Sequence, residues 1–253
     1  MSGSVSGADY LRHVGALIER LAVTAGEGVA AAAELVSAAI AAGGVVQVFG
    51  TGHSQATAME IAGRAGGLIP TNRIALADLV TYGGQPADVL ADPLLERAPG
   101  LAERLLDLVE LSERDVFVIV SNSGINSSVV DMAIEVAGRG YPLIAITSLA
   151  HATSATSRHA SGKKLADLAD VVIDNLAPYG DTVLPLADGG RVGAVSSVTS
   201  ALIAQMLVAE TVQRLEARGA ETPVYVSANI PGGHERNLEI ESRYGTRLRR
   251  YAV

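Results

Sequence analysis

Two serine-rich stretches hold the residues of this chain best suited to chemistry: GTGHSQA around Ser54, and SNSGINSS over residues 121–128. Ser54 stands where a run of β-formers, VVQVFG at 45–50, meets a helical pattern over 55–65. Two chemistries fit that position. GHSQA is one residue away from the G-x-S-x-G elbow, in which a strained turn exposes a nucleophilic serine. Asp174 or Asp181, followed by His234, would complete the chain order Ser, Asp, His. Alternatively Ser54 binds an anion at a helix start, where unpaired amides and the helix dipole favour negative charge. The second stretch favours the cradle. Ser121, Ser123, Asn126, Ser127 and Ser128 are donors, Gly124 permits a tight turn, and the helical pattern VVDMAIEVAGRG follows at once. A helix cap needs one such side chain, whereas several close together suit an anion held by neutral donors. The elbow reading leaves SNSGINSS without a role. It also puts only about 45 residues before the strand that carries the elbow, fewer than a hydrolase sheet usually has.

The elements that must position these loops alternate in type. VVQVFG, a strand within LIPTNRIAL, DVFVIV, PLIAITSL and VVIDN read as strands, with helical patterns between them. Alternation predicts a parallel sheet with right-handed crossovers and helices on both faces, an α/β fold. Ligands in such sheets bind beyond the carboxyl ends of the strands. GTGHS, SNSGINSS, TSLAH and DNLAPYGD all fall there. Residues 8–42 read as helices that stop at Gly43 and Gly44, LAERLLDLVEL as an amphipathic helix, and ADLVTYGGQPADVLADP as a loop-rich insertion. The segment from Arg191 to residue 217 reads as one long helix whose middle is apolar on nearly all sides. The basic stretch ERNLEIESRYGTRLRRYAV reads as a solvated or subunit-contact tail. The expected organisation is helices over 1–44, packing on the domain or on a partner subunit, and a single unit over 45–253.

Composition narrows the classes. Hydrophobic residues make up 49% of 253 positions and aromatics only 4%, so a large core must be built from Ala, Val, Leu and Ile. Cysteine is absent, which removes disulfides, thiolate catalysis and thiolate metal ligands. A formal charge of -8 argues against nonspecific nucleic-acid binding. No targeting segment and no membrane span is apparent, so a cytoplasmic protein is expected.

A strand ending in GTGHS and a second ending in SNSG, with Asn126 two residues on, resemble the sugar isomerase (SIS) domain. Together with RAGGL, SRHASGKKL, DNLAPYGD and IPGGHERN, they are similar to a stand-alone, phosphoheptose-isomerase-like group. The resemblance spans residues 8–240. It implies a three-layer α/β/α fold with a five-stranded parallel sheet in order 2-1-3-4-5, and a phosphosugar ligand. By the same resemblance Ser121, Ser123 and Asn126 hold the phosphate, with Asn122 and Gly124 in the same loop. Thr51, His53 and Ser54 lie on the sugar side. Asn126 stands where many members carry Thr. Some phosphoheptose isomerases use zinc, but no matching ligand set is found here, and neither metal nor cofactor is expected.

Isomerising a sugar phosphate needs a base beside the carbonyl and an acid for the oxygens. Glu60 is the candidate base, six residues after Ser54; its other reading is an i, i+4 ion pair with Arg64. His234 and Glu235, in the Gly-rich IPGGHERN, are candidates for the acid. Asn175 and Asp181 are candidates for sugar hydroxyl contacts. His151, His159, Arg158, Lys163 and Lys164 mark a loop that could close over an anion, though a solvated loop is the simpler reading. Enolisation can end in isomerisation or, as in the related etherases, in loss of a β-substituent. An N-acetylamino sugar 6-phosphate is the favoured substrate, in a homodimer or homotetramer with shared sites. The alternatives are a non-catalytic phosphosugar sensor and, more remotely, a serine hydrolase using Ser54.

Overall fold

A computed structural model describes residues 5–92, 94–98 and 100–250. Helices α1 (Gly7–Thr24) and α2 (Gly26–Ala41) precede strand β1 (Val46–Gly50). There follow α3 (Ser54–Ile61), β2 (Thr71–Ile74), α4 (Asp78–Thr81), α5 (Leu101–Leu106), β3 (Val116–Val120), α6 (Ser127–Gly138), β4 (Leu143–Thr147), α7 (Leu149–Ser154) and β5 (Val171–Asp174). The hairpin strands β6 (Thr182–Pro185) and β7 (Arg191–Ala194) lead into α8 (Ser196–Ala217) and α9 (Gly233–Ser242). Strands β1 to β5 form one parallel sheet in order 2-1-3-4-5, as expected.

Parallel strands covered on both faces read as unbroken apolar runs. VFVIV of β3 is buried at every position. Alternate side chains then go to opposite layers. Val46, Val48, Val116, Val118, Val120, Ile144, Ile146 and Ile173 pack under α2, α3 and α8. Phe49, Phe117, Ile119, Leu143 and Ala145 pack under α5 and α6. The first layer is tight because α2 is rich in alanine. A methyl group at Gly28 would already meet the carbonyl oxygen of Val172 at 3.2 Å. No single helix among the described residues is long and apolar enough to cross a membrane.

Three expectations are corrected. The long helix begins at Ser196, not at Arg191, because residues 182–194 form an antiparallel hairpin. Gly193 has φ +83°, outside the helical region, and a side chain there would strike the Tyr10 ring at 2.9 Å. The Asp181 carboxylate takes the N–H groups of Val195 (3.1 Å) and Ser196 (2.7 Å), which fixes the start of α8. The helix expected over 101–111 ends at Leu106, where bonds such as Leu108 N–H to Leu105 O (3.3 Å) tighten the chain.

The basic tail is not a solvated one. It contains α9, then folds along the edge of β2, where Arg247 and Arg249 pair with Asp115 and Asp78. Asn72 holds the arm in place by accepting from Arg249 N–H at 2.8 Å and donating to Arg247 O at 2.6 Å.

Candidate functional site

Two βα junctions meet at the carboxyl ends of β1 and β3 and line a cavity of about 470 Å3. Thr51, Gly52, His53 and Ser54 come from the first junction; Ser121, Asn122, Ser123 and Asn126 come from the second. The other walls are Glu96 from a 3-10 turn at Leu95–Arg97, His151 from α7, and residues 180–182 with Ala194, Ser196 and Ser197 around the hairpin and α8. Ordinary ligand pockets span about 300–1,000 Å3, so the space suits one small metabolite.

The second junction is tightly built. Ser121 is buried, and its Oγ accepts from Gly124 N–H at 3.1 Å. Gly124 has φ +65°, and a methyl group there would meet Thr147 Oγ1 at 3.1 Å, so another residue would push the loop off β4. Asn126 occupies the N-cap of α6 without bonding the helix amides. Its Nδ2 donates to Glu96 Oε1 at 3.1 Å, and its Oδ1 accepts from Arg158 Nη1 at 3.0 Å. The start of α6 is thus an anion-favouring helix end, with serine hydroxyls beside it.

Asn175 belongs to the frame. Its Nδ2 donates to Asn122 Oδ1 and to Ser200 Oγ, both at 3.1 Å, and its Oδ1 accepts from Ala177 N–H at 3.0 Å. Its amide protons are spent on holding the second junction against α8. Asp181 has φ +66°, and also accepts from Ser196 Oγ at 2.7 Å. Tyr10 of α1 braces the hairpin wall by donating to Ala194 O at 2.7 Å.

His151 is a partly buried base at the cavity. Its ring leans on Tyr179 at 4.9 Å between centroids, and Nδ1 is buried without a partner. Burial lowers its pKa below the usual 6.5; the Asp181 charge opposes the shift, and the Arg158 charge adds to it. Glu96 reaches across both junctions. Besides its bond to Asn126, its Oε2 would lie 4.0 Å from a methyl group at Gly52.

Within one chain the structure does not bring Glu60, His234 and Glu235 to this cavity. Glu60 pairs with Arg64 and accepts from Gln205 Nε2 at 2.6 Å, so it ties α3 to α8. His234 and Glu235 lie exposed on α9. The Ser54 hydroxyl makes no hydrogen bond to a histidine among the described residues. Asp174, for its part, accepts from the amides of Leu149 and Leu176, both at 3.0 Å. No Ser–His–Asp relay is therefore assembled around Ser54. Sequence reading missed Glu96 altogether and left His151 in a solvated loop. The one signal for His151 was its place in TSLAH, directly after a strand.

Residues 9–148 match the SIS domain family. A UPF0309 protein of Listeria monocytogenes is 37% identical, over 92% of this chain and 94% of its own length. One of Halalkalibacterium halodurans is 38% identical, over 93% and 96%. A solved phosphoheptose isomerase from Francisella tularensis superposes with a TM-score of 0.54 at 17% identity, covering 81% of this chain and 96% of that one. The likeness to that structure is one of fold. The chain belongs to the SIS-domain family and groups with its UPF0309 proteins.

Proposed function

We propose that this SIS-domain protein is an enzyme that binds a sugar 6-phosphate and removes the proton next to its carbonyl. The observation that carries the reading is what the cavity lining brings together. Serine hydroxyls and the α6 N-terminus line it along with a carboxylate, Glu96, and an imidazole, His151. The first set suits a phosphate. The second suits proton transfer in a site of this size. Solved relatives of the same fold described as phosphosugar isomerases support the reading by analogy.

Glu96 is the proposed base in place of Glu60. It is the cavity carboxylate with the fewest internal bonds, since Asp181 is committed to three donors at the start of α8. The C–H bond beside the carbonyl breaks, the proton passes to Glu96, and the electron pair moves onto the carbonyl oxygen. His151 serves the oxygens. Return of the proton to the neighbouring carbon completes an isomerisation. Loss of a β-oxygen with its electron pair, taking up the proton held by Glu96, completes an elimination. An N-acetylamino sugar 6-phosphate in the cytoplasm, and a homodimer, remain our working substrate, location and assembly. The exposed Leu11, Ile18 and Val23 of α1 support association.

The test is proton NMR of the protein in D2O with a panel of sugar 6-phosphates that includes N-acetylglucosamine 6-phosphate. Loss of the C2 proton signal of at least one member is expected, and the product separates isomerase from lyase. Binding across the panel without exchange or turnover would overturn the enzyme reading in favour of a phosphosugar sensor.

A further inference from the structure

We propose that Arg158 is the cation that clamps the ligand's phosphate against the start of α6. The inference rests on the phosphosugar reading and adds the charge that reading lacks. The cradle itself offers hydroxyls, amides and a helix end, and the same cavity carries the carboxylates of Glu96 and Asp181. A phosphate dianion placed there meets two like charges, and neutral donors alone offset them poorly.

Arg158 is positioned to do so. Its Nη1 donates to Asn126 Oδ1 at 3.0 Å, and Asn126 lines the cavity. Its charge also lowers the pKa of His151, which lines the cavity. Among the described residues it makes no salt bridge, whereas the arginines of the C-terminal arm are paired with acids. A guanidinium has five N–H donors, and one is spent on Asn126. The remaining donors can take a phosphate in the planar, two-pronged way that favours arginine.

The loop beneath it is fastened, which lowers the entropy lost on binding. Arg158 N–H donates to Ile125 O at 3.0 Å, and Ser127 Oγ donates to Arg158 O at 3.2 Å, so its backbone is stitched to both neighbours of Asn126. The next residue, His159, bonds Asp131 Oδ1 of α6 through Nε2 at 2.7 Å and Ser161 Oγ through Nδ1 at 2.7 Å. Leu165 N–H closes the loop onto Gly124 O at 2.9 Å. The strap 155–165 thus sits on the serine loop and leaves one side chain aimed at the cradle. A solvated polar loop, the simpler reading of SRHASGKKL, would not be anchored at these points.

The test is calorimetric binding of inorganic phosphate and N-acetylglucosamine 6-phosphate to the wild type, Arg158→Gln and Arg158→Lys, with N-acetylglucosamine as the uncharged control. Arg158→Gln is expected to weaken both phosphate ligands about 10- to 100-fold and to lose the preference for the dianion near pH 6. Arg158→Lys should recover part of the affinity, as a point charge without the fork. The exposed guanidinium predicts unchanged melting temperatures for both variants. If Arg158→Gln binds both ligands as tightly as the wild type, the clamp is wrong and the phosphosugar reading stands. If the wild type binds neither, the reading of the site fails and the clamp fails with it.

Discussion

Over the carboxyl ends of β1 and β3, hydroxyls, amides and an imidazole face a cavity of about 470 Å3. Along the edge of β2, the arginines of the C-terminal arm meet Asp115 and Asp78, whose side chains have 0% exposure. Asp115 also takes the N–H groups of Val45 and Ser112 and the amide of Gln47. Both regions are rich in polar groups on a sheet made of Val, Ile and Ala. They differ in where the bonding capacity goes. The arm spends its charges on the protein and fixes the chain end to the sheet. The cavity keeps an unpartnered imidazole nitrogen and a carboxylate with one bond, and an arginine without an acid is bonded to its Asn126. Capacity spent internally stabilises a fold, whereas capacity left open is available to a ligand.

Substitutions in the arm should therefore move stability and leave binding alone, and those in the cavity should do the reverse. The largest effect on stability is expected at Asp115. Asp115→Ala removes a fully buried carboxylate from the partly buried Arg247 guanidinium and from three further donors, and should cost about 3–5 kcal/mol in urea unfolding. A loss under about 1 kcal/mol would mean that the arm is not a structural clasp.

At the cavity, Ser121→Ala should weaken binding of inorganic phosphate about tenfold or more in calorimetry. Its stability should fall by only about 1 kcal/mol, since a single bond to Gly124 N–H is lost. Equal affinity in wild type and variant would dissolve the contrast between the two regions.

A smaller effect concerns pH. The pKa of His151 is lowered in the folded protein, so the unfolded chain binds that proton more readily. Its contribution is present above pH 6.5 and is lost as the pH falls through that value toward the folded pKa. His151→Gln should flatten the fall of melting temperature below pH 6.5, and an unchanged slope would contradict the burial assigned to this ring. The smallest effect belongs to the Arg243–Glu221 pair, whose side chains are 47% and 57% exposed. Arg243→Ala should change stability by less than about 1 kcal/mol.

The two regions also differed in how far the sequence revealed them. The serine loops were legible because each follows a β-forming run and opens a helix, so local order alone places them at the strand ends. The arm was not legible. Arg247 and Arg249 find their acids 132 and 171 positions away, and a local count of charge sees only a basic tail. Glu96 was hidden for the same reason, since an irregular insertion carries it to the cavity and no spacing rule marks it. Glu60 shows the converse limit. Its i, i+4 spacing to Arg64 was visible, but the turn of α3 that points it to Gln205 on α8 is set by packing. The second strand of the hairpin, from Arg191, was read as helix because its apolar residues continue those of the helix, and only Gly193 breaks the pattern.

The most direct measurement is the rate of C2 proton exchange in D2O, by NMR, for wild type, Glu96→Gln and Glu60→Gln on whichever sugar 6-phosphate the wild type exchanges. Glu96→Gln should lower the rate about 100-fold or more while still binding the ligand, and Glu60→Gln should stay near the wild-type rate. Exchange that survives in Glu96→Gln and vanishes in Glu60→Gln would contradict the assignment and return the base to α3.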